Sequence, residues 1–144
     1  MPQISTIVIN DGAASPVAHT FTPLGKDADG VFWWEQTTPA PANKLGAKRI
    51  GYKQTRELSS KNQLTASSKV GYSITLPTLE TLANNSAGIT PPPTVSYKEI
   101  AYVNMTLAER SLTQERKDTR VLTINLLGHA MAVANIDTLE PSYS

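Results

Sequence analysis

The sequence predicts an α+β domain: an N-terminal β-hairpin, an antiparallel meander sheet of about five to six strands, and a C-terminal helix lent to a second copy of the chain. Three observations predict it. Period-two alternation broken by turn residues fills the first two-thirds of the chain. The apolar period then changes to 3.6 near residue 111. And one helix is too narrow to cover the sheet that precedes it. The 144 residues suffice for one domain and not for two.

Residues 4–9 (ISTIVI) are β-branched, and Asn10-Asp11-Gly12 follows as a turn signal. Residues 17–22 (VAHTFT) pair back on them, so residues 1–24 form a hairpin. After the turn at residues 26–30 (KDADG), residues 31–38 (VFWWEQTT) make a third strand, and PAPAN breaks the chain. Trp33 and Trp34 are neighbours on it, so one faces in and one faces out, the outer toward core packing, a partner's helix or a contact between copies. A fourth strand covers 45–56, and Ser59-Ser60-Lys61-Asn62 is a polar turn. The fifth, 67–76, points Val70, Tyr72, Ile74 and Leu76 one way and Lys69, Gly71, Ser73 and Thr75 the other, and Pro77 ends it. The sixth, 95–107, has mostly apolar odd positions, and its even positions carry Ser96, Lys98, Tyr102, Asn104 and Thr106; the main sheet spans 31–107.

Residues 78–94 form a connection long enough to be functional or a contact loop. It contains Asn84, Asn85, Ser86, Ala87 and Gly88, then Pro91, Pro92 and Pro93, a stiff polyproline-like run. Ser111 with Gln114 reads as a capping box, and Glu115 suits the first turn of a helix. Val121, Leu122, Ile124, Leu126, Leu127 and Met131 give the helical region 111–136 a broad apolar face, which Gly128 weakens or kinks. His129 sits where a helix C-terminus would favour a cation. Residues 137–144 form a tail.

Composition excludes several functions. Lys and Arg number 13 against 12 Asp and Glu, a net charge of +1, so bulk charge does not hold nucleic acid, though a local basic patch can. Zero Cys removes disulfides, thiolate metal sites and cysteine nucleophiles. Two distant His, His19 and His129, give thin support for acid–base chemistry. No Gly-rich phosphate loop, nucleophile elbow or HExxH occurs, so neither an enzyme nor a cofactor or metal site is expected. No stretch approaches 18 apolar residues, and the opening MPQISTIVIN lacks the features of a secretory signal, so no membrane partner is expected.

Six strands spaced about 4.8 Å apart make a sheet roughly 25 Å wide. A helix is about 10–12 Å across. The apolar face therefore needs a lid from a second copy, or a sheet closed on itself as a sandwich or barrel.

On the sixth strand, Tyr102-Val103-Asn104-Met105-Thr106-Leu107 resembles the Y-L-N-M-E-L stretch of the coat proteins of single-stranded RNA bacteriophages, the leviviruses. Thr75-Leu76-Pro77 resembles the family strand that also ends at a Pro, and the opening hairpin is similar to those of uncultured phages in the group. The resemblance implies an interlocked homodimer whose helices cross the partner's sheet and whose copies close into an icosahedral shell. It also implies binding of a viral genomic RNA hairpin that represses replicase translation and marks the genome. A single-copy maturation protein in the virion, and assembly in the bacterial host cytoplasm, belong to the same expectation. Val121, Leu122, Ile124, Leu126, Leu127 and Met131 become the dimer interface, and residues 84–88 with 91–93 the contact loop between dimers. The chain has Thr106 where the family has an acid, and a longer connection at 56–66, so RNA sequence preference does not transfer.

The polar face gathers candidate RNA contacts. Alternation puts Arg49, Lys53 and Thr55 of the fourth strand beside Lys69, Ser73 and Thr75 of the fifth and Lys98, Tyr102, Asn104 and Thr106 of the sixth. Cations suit phosphates, hydroxyls suit sugars, and one exposed ring suits a splayed base. The same composition fits an ordinary solvated sheet face. The alternatives to a coat protein are a non-viral dimeric RNA-binding sheet module that forms no shell, and a small enzyme with a cleft under the helix.

Overall fold

The structure, a computed structural model, describes residues 3–57 and 66–143. Six strands run in chain order as one sheet: β1 (Ile7–Asn10), β2 (Ala18–Lys26), β3 (Phe32–Thr38), β4 (Arg49–Arg56), β5 (Ser67–Leu79) and β6 (Val95–Ala108). Two helices follow, α1 (Thr113–Leu127) and α2 (Ala130–Asp137). The chain divides into two compact units. Met1–Arg56 with Lys69–Thr106 holds most of the sheet, and Glu57–Ser68 with Leu107–Ser144 holds the helices.

The hairpin is fixed by its turn chemistry. The Asp11 carboxylate accepts from the amides of Ala13 (3.2 Å) and Val17 (2.9 Å) and meets His19 Nε2 at 3.1 Å. Those bonds, the Val17 amide first, hold its pKa at about 2. The register then sets Ile7 opposite Phe21 and Asn10 opposite Ala18. His19 is buried, so it serves packing and this hydrogen bond rather than catalysis. The next turn repeats the device: Asp27 Oδ1 accepts from Asp29 (3.0 Å) and Val31 (2.9 Å), while Gly30 supplies a φ of +80°.

Pleating sorts the side chains. Phe21, Trp34 and Ile50 form a buried cluster, with Ile7, Phe32, Tyr52 and Ile74 packed against it. Trp34 Nε1 donates to the Ser5 carbonyl (2.9 Å), and the Phe32 ring meets Trp34 edge-on at 4.8 Å. The apolar face is thus sealed at its β2–β4 end. No residue of β5 or β6 is buried in the isolated chain.

Several boundaries differ from the sequence reading. The stretch 45–48 is not strand: Lys44–Gly46 form a 3₁₀ turn capped by Asn43 Oδ1, which accepts from Leu45 (2.9 Å). Pro77 does not end β5, which continues to Leu79. Gly51 stands beside Ser73, so β4 begins next to Thr75. Pro77 extends past that end, where its missing N–H is owed to no neighbour on that side. The turn expected at 59–62 lies outside the described residues.

The helical region starts at Thr113, and Leu112, not Ser111, is its N-cap. Glu115 accepts from the Leu112 amide (2.7 Å), so the acidic half of a capping box forms without its hydroxyl half. Ser111 Oγ instead donates to the Ala108 carbonyl (2.7 Å) and accepts from Arg116 Nε (2.9 Å). Arg116 also donates to the carbonyls of Glu109 (3.0 Å) and Ser111 (2.6 Å), tying the entry of α1 to the end of β6. Gly128 does more than kink the helix: it caps α1, and α2 begins anew. His129 is therefore at a helix N-terminus and not a C-terminus, its Nδ1 accepting from the Met131 amide (3.3 Å). Neither helix contains a buried residue.

Candidate nucleic-acid interface

The face opposite the Phe21–Trp34–Ile50 cluster is polar and crosses β3 to β6. Trp34 faces the core, so its neighbour Trp33 faces this side. Two glycines fix the register. A Cβ on Gly51 would stand 2.6 Å from Ser73 Oγ and 3.0 Å from Trp33 Cζ3. One on Gly71 would stand 2.8 Å from Asn104 Oδ1. A side chain at Gly51 would crowd the Trp33 ring as well as Ser73, whereas one at Gly71 would require only that the end of the Asn104 side chain turn aside.

Every RNA-contact candidate from the sequence lies on this face, but not in one site. Three hollows follow one another along the strands. The first is lined by Lys53, Thr55, Lys69, Asn104 and Thr106. The second shares Lys53, Gly71 and Asn104 with it and adds Gly51, Ser73 and Tyr102. The third holds Arg49, Thr75 and Lys98 together with Trp33 and Asp27. Tyr102 is 69% exposed, its ring open to a stacking partner. Lys53, Lys69 and Lys98 are exposed, and Ser73 and Thr75 half-buried.

Arg49, a candidate phosphate contact, is also paired within the sheet. Its guanidinium meets Glu35 at 3.1 Å, and Lys44 reaches the other oxygen of the same carboxylate at 3.3 Å. Glu35 is buried, and Arg49 lies opposite it in the β3–β4 register, so the pair is structural as well as electrostatic. Of the two neighbouring tryptophans Trp33 is the one that faces out, as alternation requires, and it was not among the candidate RNA contacts. It turns away from the apolar core, and its Nε1 donates to Asp27 Oδ2 (2.7 Å). That bond comes first among the causes that hold the Asp27 carboxyl below its ordinary range, ahead of the Val31 amide. The signal was present in the sequence as an Asp six residues before two adjacent tryptophans.

The remaining expected groups lie elsewhere. The tip of the 84–90 loop is organised by Asn85, whose Oδ1 accepts from Ala87 (3.0 Å) and Ile89 (2.9 Å), with Gly88 at a φ of +72°. Thr90 Oγ1 donates to Asn84 Oδ1 (2.6 Å), and Thr94 Oγ1 donates to Glu80 (2.6 Å) at the neck of the loop. Ser86 and Pro91, Pro92 and Pro93 are exposed. On the helices, Leu122, Ile124, Leu126, Leu127 and Met131 are exposed in the isolated chain, Leu122 to 67%, and Val121 is half-buried. Among the described residues no three metal-ligating side chains gather. Nor, among the described residues, is any helix long and apolar enough to cross a membrane.

A comparison with curated protein sequences gives no match. Solved structures do match. The virus-like particle protein of bacteriophage ESE058 is similar over 99% of this chain and 100% of its own, with 34% identity and a TM-score of 0.88. That of bacteriophage NT-214 aligns with a TM-score of 0.81 at 22% identity, over 99% of this chain and 100% of the other. The bacteriophage GA capsid protein aligns at 0.67 and 18%, over 97% and 98%, and so shares the fold. The levivirus coat protein family model matches residues 2–143. A six-stranded meander, two terminal helices and this match over nearly the whole chain place the protein in the levivirus coat protein family, whose members are capsid subunits and not enzymes.

Proposed function

We propose that this capsid subunit pairs into an interlocked homodimer, closes with further dimers into an icosahedral shell, and binds a hairpin of its viral genomic RNA on the polar sheet face. The observation that supports the RNA reading best is the second hollow, where exposed Tyr102 and Asn104 stand beside two glycines and Ser73. A splayed base stacks on the Tyr102 ring, and Asn104 supplies both a donor and an acceptor for base or sugar edges. Lys53, Lys69 and Lys98 meet the flanking phosphates. Repression of replicase translation and packaging follow from binding a hairpin at the replicase start. A maturation protein joining the shell, and assembly in the host cytoplasm, belong to the same reading.

The test is filter binding of the cognate replicase-start hairpin to the wild-type protein and to Tyr102→Ala and Asn104→Ala. Loss of a stacked base is worth roughly 1–3 kcal/mol, so Tyr102→Ala weakens binding about 5- to 100-fold, with particles still forming. Unchanged affinity in both variants, with particle assembly lost, would place these side chains in a subunit contact instead.

A further inference from the structure

The third hollow has a composition that a solvated sheet surface does not need. Its volume is about 540 Å³, within the range of pockets that take small organic groups. It collects three apolar side chains, Leu24, Trp33 and Ile100, beside its cations. Leu24 is 60% exposed. The indole is held at one edge by the Asp27 carboxylate (2.7 Å), and its far edge lies over the bare backbone of Gly51. Its orientation is therefore set before any ligand arrives, which lowers the entropic cost of stacking on it.

The charges fit the same ligand. Asp27 is committed to Trp33 and to its turn amides. Arg49 is committed to Glu35. Lys26 and Lys98 form no ion pair among the described residues, and both line the hollow. A flat apolar slot with two available cations matches a nucleotide: a base between Trp33 and the aliphatic side chains, a phosphate at the lysines. Position supports the match. Thr75 and Ile100 are each two residues along their strands from Ser73 and Tyr102, so the hollow begins about 6.6 Å beyond the Tyr102 one on the same face.

We propose that the Trp33 hollow is a second base-stacking subsite for single-stranded RNA, taking a nucleotide that flanks the one on Tyr102. The inference rests on the reading of the polar face as the RNA interface. Stacking on a preset indole needs no base-edge code, so the subsite accepts any base and adds affinity more than sequence preference.

Tryptophan fluorescence of the full-length chain, freed of RNA and titrated with a uridylate octamer, tests it. Trp34 is buried, so a contact quench reports Trp33. The expected result is a saturable quench that Trp33→Leu abolishes. Trp33→Leu and Ile100→Glu each weaken binding about 5- to 100-fold. Tyr102→Ala also weakens binding but keeps the quench. Should Trp33→Leu fail to fold by circular dichroism, Ile100→Glu, at an exposed position, decides alone. Full affinity in Trp33→Leu and Ile100→Glu, with Tyr102→Ala impaired, overturns the subsite and leaves the interface standing. Full affinity in all three overturns the interface and the subsite together. Lost particles with unchanged RNA affinity in the hollow variants overturns the subsite in favour of a neighbouring subunit.

Discussion

Glu35 shows how one buried charge organises the residues around it. Its carboxylate is nearly enclosed and is answered by two cations of unequal standing: Lys44, whose side chain is 88% exposed, and Arg49, at 50% and directly across the strand pair. An exposed ammonium contributes little, because water and salt screen it. Removing the cross-strand guanidinium leaves the carboxylate short of a donor. Lys44→Ala therefore changes stability by less than about 0.5 kcal/mol, and Arg49→Met lowers it by about 1–3 kcal/mol, measured by urea unfolding. Asp11 gives a pH prediction. Its folded pKa of about 2 lies below the ordinary aspartate value of 3.8. The depressed group stabilises the hairpin above the unfolded pKa, and this contribution is lost as pH falls through the folded one. Resonances of Val17 and His19, followed by NMR, should titrate with a midpoint near 2; a midpoint near 3.8 would mean the Asp11 bonds do not form in solution. Neither arrangement was legible in the sequence. Alternation gives the face on which Arg49 stands, but not that Glu35, two strand positions past Trp33, is buried beneath it.

The elements were more legible than their ends. Alternation and turn residues located all six strands, since a pleated strand with one apolar face must repeat every second residue. The boundaries failed where a local device competes with that period: the Asn43 cap turns 44–46 into a 3₁₀ turn, and Pro77 remains in its strand beyond the start of β4. The helical region failed similarly. Apolar period continues through Gly128, while the backbone breaks there and His129 restarts it as an N-cap. The Gly128 φ of −86° is one that any residue adopts, and an added Cβ meets only ordinary contacts. Gly128→Ala should thus cost less than about 1 kcal/mol, by thermal unfolding. His129→Ala removes a side-chain acceptor from α2 and should destabilise it by about 0.5–1 kcal/mol, whereas His129→Asn restores the cap.

At the scale of the whole molecule, two apolar surfaces stay open in the isolated chain. One is the β5–β6 end of the core face, where Tyr72 and Tyr97 are exposed; the other is the row from Leu122 to Met131 on the helices. A soluble monomer rarely leaves so much contiguous apolar area in water, so each surface calls for a partner. An uncovered apolar face was legible in the sequence, because strand spacing and helix diameter are constants that composition cannot alter. Which residues of one copy meet which of the other was not legible, since pairing depends on how two folded surfaces fit. Leu122→Asp or Leu126→Asp would bury an unpaired carboxylate and should abolish dimers, whereas deleting residues 84–88 should change particle size or yield and leave dimers intact.

On this reading the fold is complete only as a pair. Sedimentation equilibrium at micromolar concentration, under conditions that dissociate shells but preserve circular dichroism, tests it most directly. The expected species has twice the 15.5 kDa chain mass, with no folded monomer detectable. A stable, fully folded species of single-chain mass would contradict it.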